Sequence, residues 1–331
     1  LFSISSANAQ GELNLYNWGD YINPAVLEKF EAETGIKVNL DVYGSNEEML
    51  AKIQAGASGY DLVFPSVHFH DILYKLDLLH ESKINESANF SNIDKDFIIS
   101  KTDPNGSWCL PYARGSVGIF YNKNIVTDGI KSWDDFFSIP DKYGAKITML
   151  DDPRETIGVG LIVNGNSVNS TNSDEIKAAA KYINDRKDKV SAFSYDIISL
   201  LQSGDIAAAH WYVGGLYYVF EDPEQKLAYA IPEEGATMYQ EDICVLKSAP
   251  NKENAYKFME FYLNPENPAL NTEQQLNISA NGPSRAMLPD NLKNNPYINP
   301  PAEAYKKLQI FDDLGDDIKK YTREWTKIRA Q

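Results

Sequence analysis

The hydrophobic pattern along the first 70 residues switches repeatedly between a strand period and a helix period. Leu13 and Leu15 alternate with polar neighbours and predict a strand, whose exit reads Asn17-Trp18-Gly19-Asp20-Tyr21. Asn23 and Pro24 then offer a cap and a first-turn proline. Val26, Leu27 and Phe30 make the helical stripe that follows, and Gly35 stops it. Residues 36–43 (IKVNLDVY) alternate as a second strand. Ser45 and Glu48 have capping-box spacing for a helix bearing Met49, Leu50 and Ile53. Residues 59–64 form a short apolar strand that Pro65 and Ser66 break, and its exit runs through Val67, His68, Phe69 and His70. Strands alternating with helices predict an α/β protein with a parallel sheet. The exits of the first and third strands then lie side by side, at the sheet edge where such proteins bind ligands.

The remaining chain continues the pattern. A helix is expected around Asp71–Leu79, then polar, Asn- and Ser-rich loops over 81–105. Residues 108–122 (WCLPYARGSVGIFYN) read as two strands, the second ending the first crossing between domains. Ser132 and Asp135 repeat the capping box. The strand 147–150 exits through Asp151-Asp152-Pro153-Arg154-Glu155 into a helix, and an apolar strand over 206–212 ends at Tyr212. Two strands flank Met238-Tyr239-Gln240-Glu241-Asp242. Helices are expected over Asp174–Arg186, Glu253–Leu263, Ala302–Leu308 and Asp317–Ile328. No internal repeat or low-complexity tract appears.

Composition narrows the classes. A chain of 331 residues suggests two domains at roughly 100–200 residues each. Its formal charge of −16 argues against nucleic acid and anionic lipid as partners and suits a cationic one. No stretch approaches the ~18 apolar residues of a membrane span. The first ten residues, LFSISSANAQ, resemble the tail of a signal segment with an Ala-x-Ala cleavage site before Gln10. Residues 1–9 are therefore read as a signal-peptide remnant, and the mature chain as exported. Cys109 and Cys244 are the two cysteines. They would join distant segments if paired; the simpler reading, adopted here, is two buried free thiols.

The strand exits collect one kind of chemistry. They supply Trp18, Asp20 and Tyr21, then Ser66 and His68, then Asp152 and Glu155, then Tyr212, and finally Tyr239 and Glu241. Clustered carboxylates repel one another and resist burial unless a cation joins them. Aromatic faces would hold a methylene chain and add cation–π attraction of about 0.5–2 kcal/mol per contact. That combination suits a flexible diamine or triamine. Plainer readings exist for the same residues. Trp18 and Tyr21 could plug a loop, and Asp152 and Glu155 could cap the following helix. The His68-x-His70 pair is read as incidental, not as a metal site, and no cofactor is expected. Arg154 is read as a structural partner of the acids. Tyr16, Trp108 and Trp133 are assigned to cores. The G-x-S-x-G, H-E-x-x-H, P-loop and dinucleotide fingerprints are all missing, so no enzyme is expected.

The segments YNWGDYI, FEAETGIKV, GSNEEMLAKI, YDLVFPS, SWDDFF, DDPRE, WYVGG and INPPAEAYKKLQ occur in an order that resembles the spermidine/putrescine-binding proteins of bacterial ABC transporters. The similarity runs from residue 12 over nearly the whole chain. It implies a periplasmic-binding-protein fold of two lobes, each a mixed β-sheet flanked by helices, joined by hinge strands and closing on the ligand. The expected lobes are 10–116 with 240–285, and 117–239 with 286–331. It also implies a monomer in the periplasm that hands a polyamine to a membrane permease. Carried over by position, Trp18, Asp20, Tyr21, Ser66, Asp152, Glu155, Tyr239 and Glu241 match ligand positions. His68 stands where the spermidine binder has Tyr, Tyr212 where the family has Trp (with Trp211 adjacent), and Phe311 where the spermidine binder has Gln. Gly215 replaces an acid of the putrescine-selective relatives. Two rival readings remain at this stage: a glycoside hydrolase using a carboxylate pair, and a sensor or ferric-ion binder on the same fold.

Overall fold

Strand β1 (Glu12–Trp18) buries Leu13, Leu15 and Tyr16 completely and pairs in parallel with β2 (Lys37–Tyr43) and β3 (Leu62–Val63). The helix between the first two strands, α1 (Pro24–Thr34), begins under the Asn23 side chain, which accepts from Ala25 N, and ends at Gly35 with φ 71°. That left-handed conformation is cheap only for glycine. Helix α2 (Asn46–Gln54) starts at Ser45, whose hydroxyl accepts from Glu48 N. The Glu48 carboxylate bonds Gly44 N, one residue short of the expected reciprocal contact.

Helix α3 (Val67–Lys75) begins directly after Ser66, earlier than the pattern suggested. His68 and His70 therefore sit on a helix and not on a strand exit. Two residues apart on a helix they point to different sides: His70 is buried, and His68 is partly exposed. Residues 109–122 form one continuous strand, β4 (Cys109–Asn122), in place of the two expected.

The computed structural model describes residues 11–330, so the signal-segment expectation lies outside the described residues. Two compact units emerge. The first runs up to Arg114 and resumes at Gln240–Asn299; the second comprises Gly115–Tyr239 and the chain from Pro300. β4 leaves the first unit at Arg114, and β9 (Ala236–Val245) returns to it at Gln240.

The second unit contains α4 (Trp133–Tyr143), β5 (Ile147–Met149), α5 (Pro153–Val163), α6 (Ser173–Asn184), β6 (Val190–Phe193), α7 (Ile198–Ser203), β7 (Ala208–Tyr212), α8 (Leu216–Phe220) and β8 (Leu227–Ala230). The capping box at Ser132 and Asp135 is closed here as expected. β5 pairs in parallel with β6 and β7, while β7 and β8 run antiparallel to β4. Trp133, Phe136, Ile147, Ile157, Leu161 and Ile176 fill the core beneath.

After β9 the first unit gains α9 (Lys252–Leu263), α10 (Glu266–Gln275), β10 (Ile278–Ser279), α11 (Gly282–Ala286) and α12 (Asp290–Lys293). α11 packs on α10 and β10, which keeps residues up to Asn299 with this unit; the sequence had suggested a return at Ala286. The second unit is completed by α13 (Ala302–Tyr305), β11 (Leu308–Ile310) and α14 (Ile318–Ala330). The helix expected through Leu308 stops at Tyr305, because Leu308–Ile310 pair in parallel with Ala236–Met238. In the first unit β9 runs antiparallel to β3, so its sheet is mixed.

The cysteine expectation is overturned. Cys109 on β4 and Cys244 on β9 form a disulfide, with Cα atoms 4.5 Å apart and 135 residues between them. Strand pairing brings together positions whose sequence spacing gives no hint of it.

Candidate functional site

In the first unit the candidate residues gather around Glu241. β9 places this glutamate in an isolated antiparallel bridge with Ser66, the residue that opens α3. The Ser66 hydroxyl donates to Glu241 Oε1 at 3.1 Å, and the Tyr21 hydroxyl donates to Oε2 at 2.6 Å. Burial pushes the Glu241 pKa up to about 8, the Asp242 charge adds to it, and the two hydroxyl donors oppose it. Tyr21 is itself held by Tyr112, whose hydroxyl donates to the Tyr21 carbonyl and whose ring meets it edge-on. Trp18, at the end of β1, donates its Nε1–H to the Phe64 carbonyl at 2.8 Å and leans on Tyr43. His68 packs edge-on against Phe69. Asp20 lies in the turn after β1 with φ 50° and an exposed side chain.

In the second unit the centre is the Asp152–Glu155 pair. Asp152 caps α5: its Oδ1 accepts from Glu155 N at 2.9 Å. Its other oxygen accepts from the Tyr195 hydroxyl at 3.3 Å. The capping role weighed against function is therefore real, and it leaves Glu155 turned elsewhere. The Glu155 side chain is buried and accepts from the Thr237 hydroxyl. Its pKa rises to about 8, first through burial and then through the neighbouring Asp152 charge. Tyr212 and Tyr239 meet edge-on at 5.7 Å between ring centroids. Burial raises the Tyr212 pKa far above its ordinary value, and the charges of Glu155 and Asp152 raise it further. Trp211 turns to Phe120.

Arg154 packs on Phe311, one of the expected ligand positions. The guanidinium lies over the Phe311 ring at 4.4 Å and the Tyr321 ring at 5.1 Å. It donates to the carbonyls of Asp312 and Val168 and to Asn169 Oδ1. Phe311 packs with Ile162 and Val168 in a small core. Tyr16 is fully buried and stacked on Tyr60, and Trp133 is fully buried, as expected; Trp108 is only half-buried, against Tyr74.

Four supporting residues were missed by sequence reasoning: Asn46, Tyr112, Tyr195 and Thr237. Asn46 Nδ2 donates to the Ser66 hydroxyl at 3.0 Å, and its Oδ1 accepts from Ser66 N. Its position directly after the Ser45 cap was the one available signal. Thr237 lies two residues before Tyr239 on β9, on the same strand face, which the period-2 rule could have found.

The family model for the bacterial extracellular solute-binding proteins matches residues 25–300, and the chain belongs to that family. It is similar to the putrescine-binding periplasmic protein of Pseudomonas aeruginosa, at 34% identity over 336 residues, covering 96% of this chain and 92% of the other. It is 30% identical to the spermidine/putrescine-binding periplasmic protein of Escherichia coli over 331 residues, covering 99% and 94%. Among solved structures, the spermidine/putrescine ABC transporter substrate-binding protein of Streptococcus pneumoniae superposes with a TM-score of 0.85 at 28% identity, covering 97% and 99%. The resemblance carried by the motifs therefore holds, as does the α/β solute-binding fold. No described helix is long and apolar enough to cross a membrane.

Proposed function

We propose that this chain is an exported, monomeric solute-binding protein that captures a polyamine of the putrescine or spermidine type and delivers it to an ABC permease, without catalysing a reaction. One observation carries the reading. Each unit buries carboxylate chemistry whose direct donors are hydroxyl groups: Tyr21 and Ser66 on Glu241, Thr237 on Glu155. Such carboxylates are held partly neutral by burial and gain most from an arriving ammonium. A linear polyamine brings two or more.

In this reading Asp152, Glu155 and Glu241 hold ammonium groups, with Asp20 adding negative potential from its exposed turn. Trp18, Tyr21, Tyr212 and Tyr239 pack against methylenes. Ser66 and His68 contribute hydrogen bonds. Phe311 acts from beneath, by seating Arg154. The names of the similar proteins support this over the hydrolase and ferric-ion readings.

A thermal shift panel tests it: putrescine, cadaverine, spermidine, spermine, a neutral oligosaccharide and Fe(III). A ligand at ~100 times its dissociation constant stabilises the folded state by ~2.7 kcal/mol. A shift with a polyamine alone supports the reading. A shift with sugar or iron and none with any polyamine overturns it.

A further inference from the structure

His70 lies in the first unit on α3 and is 1% exposed. Its Nδ1 is 2.8 Å from Asp242 Oδ2. A carboxylate accepts, which assigns the hydrogen to Nδ1 and leaves a lone pair on Nε2. Nε2 has no hydrogen-bond partner among the described residues. Asp103 Oδ2 stands 3.8 Å from it, beyond hydrogen-bonding reach. An imidazole nitrogen of His70 and the sulfurs of Cys109 and Cys244 all lie within 4.8 Å of one another, and all three residues are buried. Asp103 is 3% exposed and is tied to the same place, since its carboxylate accepts from the backbone of Ser107, Trp108 and Cys109.

An orphaned imidazole nitrogen beside two sulfurs and a carboxylate is the donor set of a borderline-soft divalent cation. The disulfide keeps it closed, because the ligand form of cysteine is the thiolate. We infer that reduction of Cys109–Cys244 converts this cluster into a zinc site, with both thiolates, His70 Nε2 and an Asp103 oxygen as its four ligands. The chemistry balances with a dithiol as reductant. The dithiol passes two electrons and two protons to the S–S bond, giving two thiols, and becomes a disulfide itself. Zn²⁺ then displaces both thiol protons to solvent. Asp242 is the carboxylate that orients the ligating imidazole. Asp242 directly follows Glu241, so the covalent link and the ion would be two alternative anchors for the strand that carries the Glu241 cluster.

The test uses the full chain, reduced without oxygen by a phosphine. The phosphine takes its oxygen from water, whose hydrogens end on the sulfurs, and it leaves no competing dithiol. Co²⁺ is then titrated in as a spectroscopic stand-in for zinc. The expected result is one cobalt per chain, with thiolate-to-cobalt charge transfer and the visible bands of tetrahedral cobalt, all displaced by Zn²⁺. The oxidised chain should show none of these. Asp242→Asn should weaken cobalt binding by roughly 10–100-fold, and His70→Ala should remove the tetrahedral bands. Zn²⁺ should also raise the melting temperature of the reduced chain and not of the oxidised one. Circular dichroism reports whether each sample is folded. A reduced, folded chain without thiolate charge transfer overturns the inference. So does equal binding by the Cys109→Ser, Cys244→Ser double variant, or loss of the fold on reduction.

Discussion

Tyr21 and Glu241, 220 residues apart in sequence, share a hydrogen bond of 2.6 Å from phenol to carboxylate. The bond fixes which way the carboxylate faces, and its donor is a neutral phenol. Replacing Glu241 by Gln keeps the shape and removes the charge. The expected loss of polyamine affinity is about 1–3 kcal/mol, the range of a hydrogen bond to a charged group. Titration calorimetry measures it, and unchanged affinity would remove Glu241 from the site.

Glu155 and Glu241 both carry pKa values raised from 4.5 to about 8. Burial is the leading cause, and it disfavours the charged form. Between these values the folded chain keeps protons that the unfolded chain has lost. Stability is therefore full below pH about 4.5 and declines as pH rises toward 8. Thermal melts from pH 5 to 8 should show this decline, and it should flatten in the Glu155→Gln, Glu241→Gln double variant.

Ligand binding has the opposite sign. Ammonium groups favour ionised carboxylates, so a polyamine should expel protons and bind more tightly as pH rises to about 8. Calorimetry in two buffers of different ionisation enthalpy reads the proton release directly. Equal heats in both buffers at pH 7 would show that these two groups do not change protonation on binding.

Gly115 opens the second unit beneath Tyr239. A methyl group there would collide with the Tyr239 hydroxyl and with Val213. Gly115→Ala should cost about 1–3 kcal/mol of stability through overpacking and weaken polyamine binding by moving the Tyr239 ring. A stability loss with intact affinity would mean that Tyr239 is structural.

The disulfide ties Cys109 to Cys244 across 135 residues. Its removal by the Cys109→Ala, Cys244→Ala double variant should lower stability by about 2–4 kcal/mol. Urea denaturation with intrinsic fluorescence measures it.

Local chemistry was legible in the sequence where a neighbour a few residues away completes the interaction. Asn23 before Pro24, Gly35, the Ser132–Asp135 box and the Asp152–Glu155 pair all behave as their spacing implied. Most of what failed depends on strand pairing across long separations. Cys109 meets Cys244 because β4 and β9 lie together, and β11 is a strand because β9 offers it an edge. Thr237 reaches Glu155, and Tyr195 reaches Asp152, through contacts that no local pattern encodes. The start of α3 was misplaced because Pro65 and Ser66 look like a strand break, while Ser66 also opens a helix. The strand-exit rule sets Tyr21 beside Ser66, but the bonds that both make to Glu241 are not encoded by periodicity.

The most direct measurement is a calorimetric titration of the purified chain with spermidine and with putrescine, repeated on the Glu155→Gln, Glu241→Gln double variant. The account predicts saturable binding at one site per chain, weakened at least tenfold in the variant. Absence of saturable polyamine binding, or equal affinity in the two proteins, would contradict it.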